Sequence, residues 1–167
     1  MSITIKVPNS LSDASIKILT DRLRDEYMAH YFYRNATNWC AGVGYNKAAA
    51  FFAEEAKAEM EHAEDIQKFL VDWNVDPLMP SIKANITFTN LIDIINKAYG
   101  IEYALFESYC KDSHSVFTAD INTFDFLTGY RIKQNQAVIE YADLLNAAML
   151  VDVNNKFELL YFEQTYF

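Results

Sequence analysis

Residues 46–73 read NKAAAFFAEEAKAEMEHAEDIQKFLVDW. Within this stretch Phe52, Glu55, Glu59, His62, Ile66, Phe69 and Trp73 recur three and four residues apart, the spacing that sets side chains on one face of an α-helix. Phe52 opens that face and Ile66, Phe69 and Trp73 close it, so it points toward a core. Its middle nevertheless holds carboxylates and an imidazole, with Glu59 and His62 three apart and therefore on the same side of one turn. The bland alternative is a solvated face, because Glu54, Lys57, Glu61 and Glu64 crowd the same segment. An isolated Glu-x-x-His does not decide between the two, and the decision falls to the rest of the chain.

Three further segments carry the helical period. The first is expected to begin near Ser10 or Ser12, where Ser10 and Asp13 are spaced as a capping box, and to run to about Cys40 before Gly42 and Gly44 turn the chain. The second spans Asn46 to Trp73, the third about Asn90 to Lys111, and the fourth about Ile121 to Leu150. A short aromatic segment, Phe157 to Phe167, closes the chain as a candidate fifth helix. All three prolines fall where helices should break, Pro8 before the first and Pro77 and Pro80 between the second and third,. The expected fold is all-α, a four-helix bundle over residues 1–167 as a single domain, with one long crossover between the second and third helices. Short outer connections make each helix pair antiparallel; the end of the bundle at which the third helix starts stays open. Gly100 and Gly129 sit inside helices at a cost of about 1 kcal/mol each against alanine, which suggests that they permit close packing.

The inward stripe of the first helix reads Leu19, Leu23, Glu26, His30, Tyr33; that of the third reads Leu91, Ile95, Ala98, Glu102, Leu105, Tyr109; that of the fourth reads Leu127, Arg131, Gln134, Val138, Tyr141, Leu145. Each has a polar group near its midpoint, and helices of similar length packed side by side bring their midpoints to one depth. Glu26, Glu59, His62, Glu102 and Gln134 are thereby expected to converge. Several carboxylates in a dry core repel one another unless they share a proton or a cation, and the apolar neighbours of Glu102 favour a buried metal over a solvated face. His30 and His114 read as an ordinary core and an ordinary surface histidine.

The net charge is −9 over 167 residues. That disfavours nucleic acid and anionic membrane as partners, since both need a basic face. No apolar run approaches the roughly 18 residues of a transmembrane helix. Met1 to Ser12 carries no long apolar stretch and no small-residue cleavage pattern, which leads to the expectation of a cytoplasmic protein. Cys40 and Cys110 lack the spacing of a zinc or redox pair and are expected to be buried, reduced thiols.

The chain resembles the non-haem ferritins, most closely the bacterial type. The resemblance rests on Asp25-Glu26-Tyr27, Tyr33 and Trp39-Cys40 in the first helix and on Ala49-Ala50-Phe51-Phe52 and Glu59-Met60-Glu61-His62-Ala63 in the second. It continues with Tyr99-Gly100-Ile101-Glu102 in the third and Thr123-Phe124-Asp125-Phe126-Leu127 leading to Tyr130 and Gln134 in the fourth. The resemblance implies a ferritin-like bundle that stores iron and acts as a ferroxidase, oxidising Fe2+ with O2 or H2O2 at a di-iron site. Glu26 and His62 would hold the first iron, Glu59 would bridge, Glu102 would hold the second, Gln134 would lie beside the pair, and Tyr33 would stand near as a redox partner. It further implies a homo-24-mer cage around a ferric mineral, with Glu61 and Glu64 helping nucleation and Asp120 and Asp125 lining an inlet. Bacterial members often hold a third iron; here the matching positions read Ala58, Lys133, Gln136 and Ala137, so that site is expected to be absent or weakened. The fourth helix has no second Glu-x-x-His, and no methionine is placed for haem, so no haem is expected. The alternative reading is a structural cage subunit, impaired as a ferroxidase, that only nucleates mineral.

Overall fold

The computed structural model describes residues 11–83 and 85–167. These form α1 (Asp13–Val43), α2 (Asn46–Asp72), α3 (Leu91–Val116), α4 (Ile121–Ala148) and α5 (Lys156–Tyr166). The all-α bundle with one long crossover is what the sequence pattern required. Ser12 caps α1, accepting from the Ser15 amide at 3.1 Å; the expected box from Ser10 to Asp13 falls outside the described residues. The helix passes Cys40 and Gly42 and stops at Gly44, whose φ of 92° is open to glycine at little cost,.

Contacts across the bundle fix the helix directions. On α1 and α3, Tyr33 meets Glu102 while Glu26 meets Tyr109, so those two run antiparallel. On α2 and α4, Glu55 meets Tyr141 and Asp65 meets Tyr130, and these also run antiparallel. With short turns joining α1 to α2 and α3 to α4, α2 and α3 must point the same way. The connection over residues 73–90 therefore travels the length of the bundle, which settles where α3 begins. Phe88 from that connection packs edge-on against Phe32 of α1 at 5.5 Å.

Several expectations change. α3 runs to Val116, more than a turn beyond Lys111, because Ser113 and Val116 are still buried and Asp112 pairs with Arg22 of α1 at 3.4 Å. α4 ends at Ala148, short of Leu150. The core face of α4 is Thr123, Leu127, Tyr130, Gln134, Tyr141, Leu144 and Ala148; Arg131, Val138 and Leu145 are only half-buried, one helical step off the face. Gly100 and Gly129 are exposed, and a Cβ at either would meet nothing within 4 Å, so neither serves a close approach. Of the two thiols, Cys40 is buried, with a pKa that burial and then the nearby Glu163 push up to about 12, while Cys110 is half-buried; both are free.

The closing segment is a helix, and it is tied down. The N-cap residue of α2, Tyr45, gives its helix no side-chain cap. Glu163 of α5 does so instead, accepting from the amides of Lys47 at 2.7 Å and Ala48 at 3.0 Å with its carboxylate fully buried. An acid at a helix N-terminus satisfies orphan donors and meets the positive end of the dipole. Phe162 and Phe167 fill the gap beside it, Phe167 lying 5.2 Å from Phe51 and 5.6 Å from Phe52. Glu163→Ala is expected to cost about 1–3 kcal/mol of stability in a denaturant melt. A melt identical to the wild type would mean that the α5 contact contributes nothing net.

Candidate metal centre

The midpoints of the helices do meet. Glu26 of α1, Glu59 of α2, Glu102 of α3 and Gln134 of α4 are all buried, and His62 of α2 is mostly so. One ligand atom each from Glu26, Glu59 and His62 can be chosen so that all lie within 4.8 Å of one another, the size of a cation site. His62 Nδ1 stands 3.0 Å from Glu59 Oε2 and 3.5 Å from Glu26 Oε2. Glu102 and Gln134 lie beside this trio and bind each other: Gln134 Nε2 donates to the Glu102 carboxylate and, at 3.2 Å, to its backbone carbonyl.

Tyrosines hold the carboxylates. Tyr33 donates to Glu102 Oε1, and Tyr109 donates to Glu26 Oε1. The two contacts are mirror images, since Tyr33 stands seven residues after Glu26 on α1 and Tyr109 seven after Glu102 on α3. In the sequence Tyr109 reads only as part of a core stripe; the repeated spacing of seven is the one signal of its role. A second layer joins Tyr141 to Glu55 at 3.1 Å, with the Tyr141 ring stacked 6.0 Å from Tyr33. This grip leaves one atom over: Glu26 Oε2, in a side chain with no exposure, has no hydrogen-bond partner. A buried carboxylate oxygen without a donor is expensive, and it faces the histidine and Glu59.

Electrostatics describe the same crowding. Burial, and after it repulsion from Glu26 and Glu102, raises the Glu59 carboxyl well above its ordinary range. Burial likewise raises Glu102 to about 7, against the pull of its bonds from Tyr33 and Gln134. Burial pushes Glu26 the same way, but the influence of the adjacent His62, Glu59 and Tyr109 outweighs it and holds Glu26 below the usual value. The metal-free fold therefore prefers Glu59 and Glu102 protonated. For Glu102, whose ordinary value is 4.5, the native state binds more protons than the unfolded chain between pH 4.5 and 7, so stability present at pH 4.5 is lost as pH rises through about 7. Metal-free protein is expected to lose about 3 kcal/mol across that window, and a divalent cation should restore it. Glu26, shifted downward, acts only at lower pH. Melts at pH 5 and 7.5, with and without Co2+, check this; equal metal-free stability at both would contradict it.

Other candidates resolve simply. His30, expected in the core, is half-buried with its Nδ1 2.6 Å from the Ala56 carbonyl, and His114 is exposed, as expected of a surface histidine. Ala58, Lys133, Gln136 and Ala137 offer no carboxylate, and the Lys133 ammonium sits 4.8 Å over the Tyr130 ring, whose edge meets His62 at 5.2 Å. The Asp120 carboxylate is occupied in capping α4, accepting from the Thr123 amide at 3.1 Å and from the Ser15 and Thr123 hydroxyls at 2.7 Å. Asp125 is exposed. Among the described residues, no helix is long and apolar enough to cross a membrane.

The family model for ferritin-like domains matches residues 16–150, which span α1 to α4 and every residue of the centre. Bacterial non-heme ferritin of Escherichia coli O157:H7 is 23% identical over 128 residues, covering 75% of this chain and 78% of that protein. A probable bacterial non-heme ferritin-like protein of Haemophilus influenzae is 22% identical over 138 residues, covering 81% and 84%. Bacterial non-heme ferritin of Staphylococcus epidermidis is 26% identical over 84 residues, about half of each chain at 50% and 51%.

Proposed function

Because the chain belongs to the family of ferritin-like domains, we propose that it is an iron-storage protein that takes two Fe2+ into the bundle as substrate, oxidises them and passes Fe3+ to a mineral. The observation that carries this reading is the unpartnered Glu26 Oε2, buried and facing His62 and Glu59. A cation there replaces the missing donor and removes the repulsion among the acids. Glu26, Glu59 and His62 hold the first ion; Glu102 holds the second, with Glu59 between them and Gln134 alongside. Hard carboxylate oxygens with one imidazole suit iron in both oxidation states.

Each Fe2+ gives up one electron, so two together reduce O2 and two protons to H2O2, or reduce H2O2 and two protons to water. The residues of this chain set the terms. The three carboxylates offset the added charge when Fe2+ becomes Fe3+, and the buried rings of Phe52 and Tyr141, stacked against Tyr33, keep bulk water from that side,. Tyr33, bonded to Glu102, stands where it can pass an electron as well as position its partner. Storage implies a closed shell, for which a homo-24-mer is the proposal. The strongly exposed Met149, Leu150, Phe157 and Tyr161 are the apolar surface that copies of the chain would cover,. Exposed Glu61 and Glu64 on α2 are proposed to nucleate mineral, in a cytoplasmic protein without haem.

One observation favours the alternative of an impaired cage subunit. Both Glu102 oxygens are occupied by Tyr33 and Gln134, so the second position starts with fewer free atoms than the first. Anaerobic Fe2+ titration, then exposure to oxygen, separates the readings. A fast phase that saturates near two irons per subunit, entered through a tight step and then a weaker one, supports the ferroxidase. Slow oxidation without saturation leaves only the passive cage.

A further inference from the structure

The two tyrosines at the centre do not hold their acids alike. Tyr33 shares Glu102 with Gln134, so each oxygen of that carboxylate has a donor. Tyr109 holds Glu26 alone and takes only Oε1, leaving Oε2 bare. Tyr109 is itself fixed: it is fully buried, its ring stacks on Tyr130 at 5.7 Å, and the Arg22 guanidinium lies 5.9 Å from its centroid. Arg22 is anchored in turn by Asp25 at 2.8 Å and Asp112 at 3.4 Å. The phenol therefore has no freedom to swing away when a cation arrives.

We infer that Tyr109 is a positioning residue that reserves Glu26 Oε1, so that Glu26 meets the first metal through Oε2 alone and one coordination position stays open for the oxidant. The inference rests on the metal-centre reading above and deepens it. A carboxylate free at both oxygens closes onto a cation with both and occupies two positions; a phenol that binds one oxygen prevents this. Partners of a metal ligand that lie outside the coordination sphere set its geometry in this way, and their loss changes affinity or activity by about 10- to 100-fold.

Co2+ in the wild-type protein and in Tyr109→Phe gives the test. Phenylalanine keeps the shape and removes only the hydroxyl. The visible d–d bands of Co2+ lose intensity as coordination number rises, so the variant is expected to bind the first Co2+ with weaker bands than the wild type. Its turnover of Fe2+ should fall about tenfold while half-saturation stays put or drops. Tyr130→Phe, which removes a neighbouring phenol bonded to Asp65 at 2.8 Å instead of to a ligand, should leave the spectrum of the wild type. Identical Co2+ spectra in the wild type and Tyr109→Phe would overturn the role of Tyr109. Should the variant fail to fold, a crystal structure of the Co2+-loaded wild type decides: Glu26 bound through Oε2 with Oε1 on Tyr109 supports the inference, and Glu26 bound through both oxygens overturns it. Failure of the wild type to take up Co2+ at all would overturn the metal-centre reading itself.

Discussion

Glu59→Ala is expected to abolish the fast phase of ferrous oxidation, lowering the rate by more than about a hundredfold, because partners outside the coordination sphere already cost up to that much and Glu59 would touch both ions. Its position supports the bridging role. Of the buried acids it is the one that feels both Glu26 and Glu102 as repulsive charges of the first rank, and in raising its pKa their repulsion is second only to burial. Alanine there leaves Glu26 and His62 facing each other with no third atom and severs the second ion from the first. Stability should move far less than activity. The variant loses a buried carboxyl that its neighbours repel, which offsets much of the cavity left by the missing atoms. Glu59→Gln separates the two effects further, since it keeps the volume and hydrogen-bonding capacity but not the charge. Stopped-flow oxidation and thermal melts on the wild type and both variants make the comparison. Wild-type rates in both variants would remove Glu59 from the chemistry, whereas slow oxidation with near-normal melts is the expected pattern.

The legible and illegible parts of the sequence differ for physical reasons. The stripes of α1 and α3 follow their buried faces, with only His30 off them, because a buried helix face repeats at three and four residues whatever its environment,. Those of α2 and α4 do not: Glu55, His62, Phe69 and Trp73 are half-buried while Ala56, Ala63 and Leu70 fill the α2 face. On α4, Arg131 and Val138 are half-buried beside Tyr130, Gln134 and Tyr141, because period alone ranks neither alanine against phenylalanine nor tyrosine against valine. Glu26, Glu59, His62 and Glu102 are legible as acids and a histidine set among apolar neighbours. Tyr109 and Tyr141 are not legible as anything but core, because their hydroxyl partners sit on other helices, 83 and 86 residues away in the chain. Glu163 escapes for the same reason: its partners are amides at the start of α2, more than 100 residues earlier. Side-chain chemistry that closes over long separations leaves no local pattern. Gly100 and Gly129 show the reverse error, in which a residue type with a familiar packing role proves to sit in open solvent.

Gln134→Glu combined with Ala137→His is expected to raise affinity for the second ion by about a hundredfold, roughly 2.7 kcal/mol, while lowering metal-free stability. The first position has what a bundle offers a cation, a carboxylate and an imidazole three residues apart on α2. α4 presents the corresponding step with Gln134 and Ala137, which supply a neutral amide and a methyl group. Gln134 is buried and already reaches the Glu102 carboxylate, so a glutamate there meets the second ion from the same distance. Ala137 is half-buried one turn further on, where an imidazole can turn inward as His62 does. The cost falls on the empty site: a fourth buried acid beside Glu59 and Glu102 must be neutralised by a proton, which should depress the metal-free melt and widen its dependence on pH. Anaerobic calorimetric titration with Co2+ would show two steps of similar strength in place of a tight and a weak one. Ions held that firmly should also leave slowly, so ferric product should accumulate in the bundle, and mineral growth should slow even as the first turnover stays fast. A titration unchanged from wild type would mean that α4 does not face the second ion, and the assignment of Gln134 to it would fall with that result.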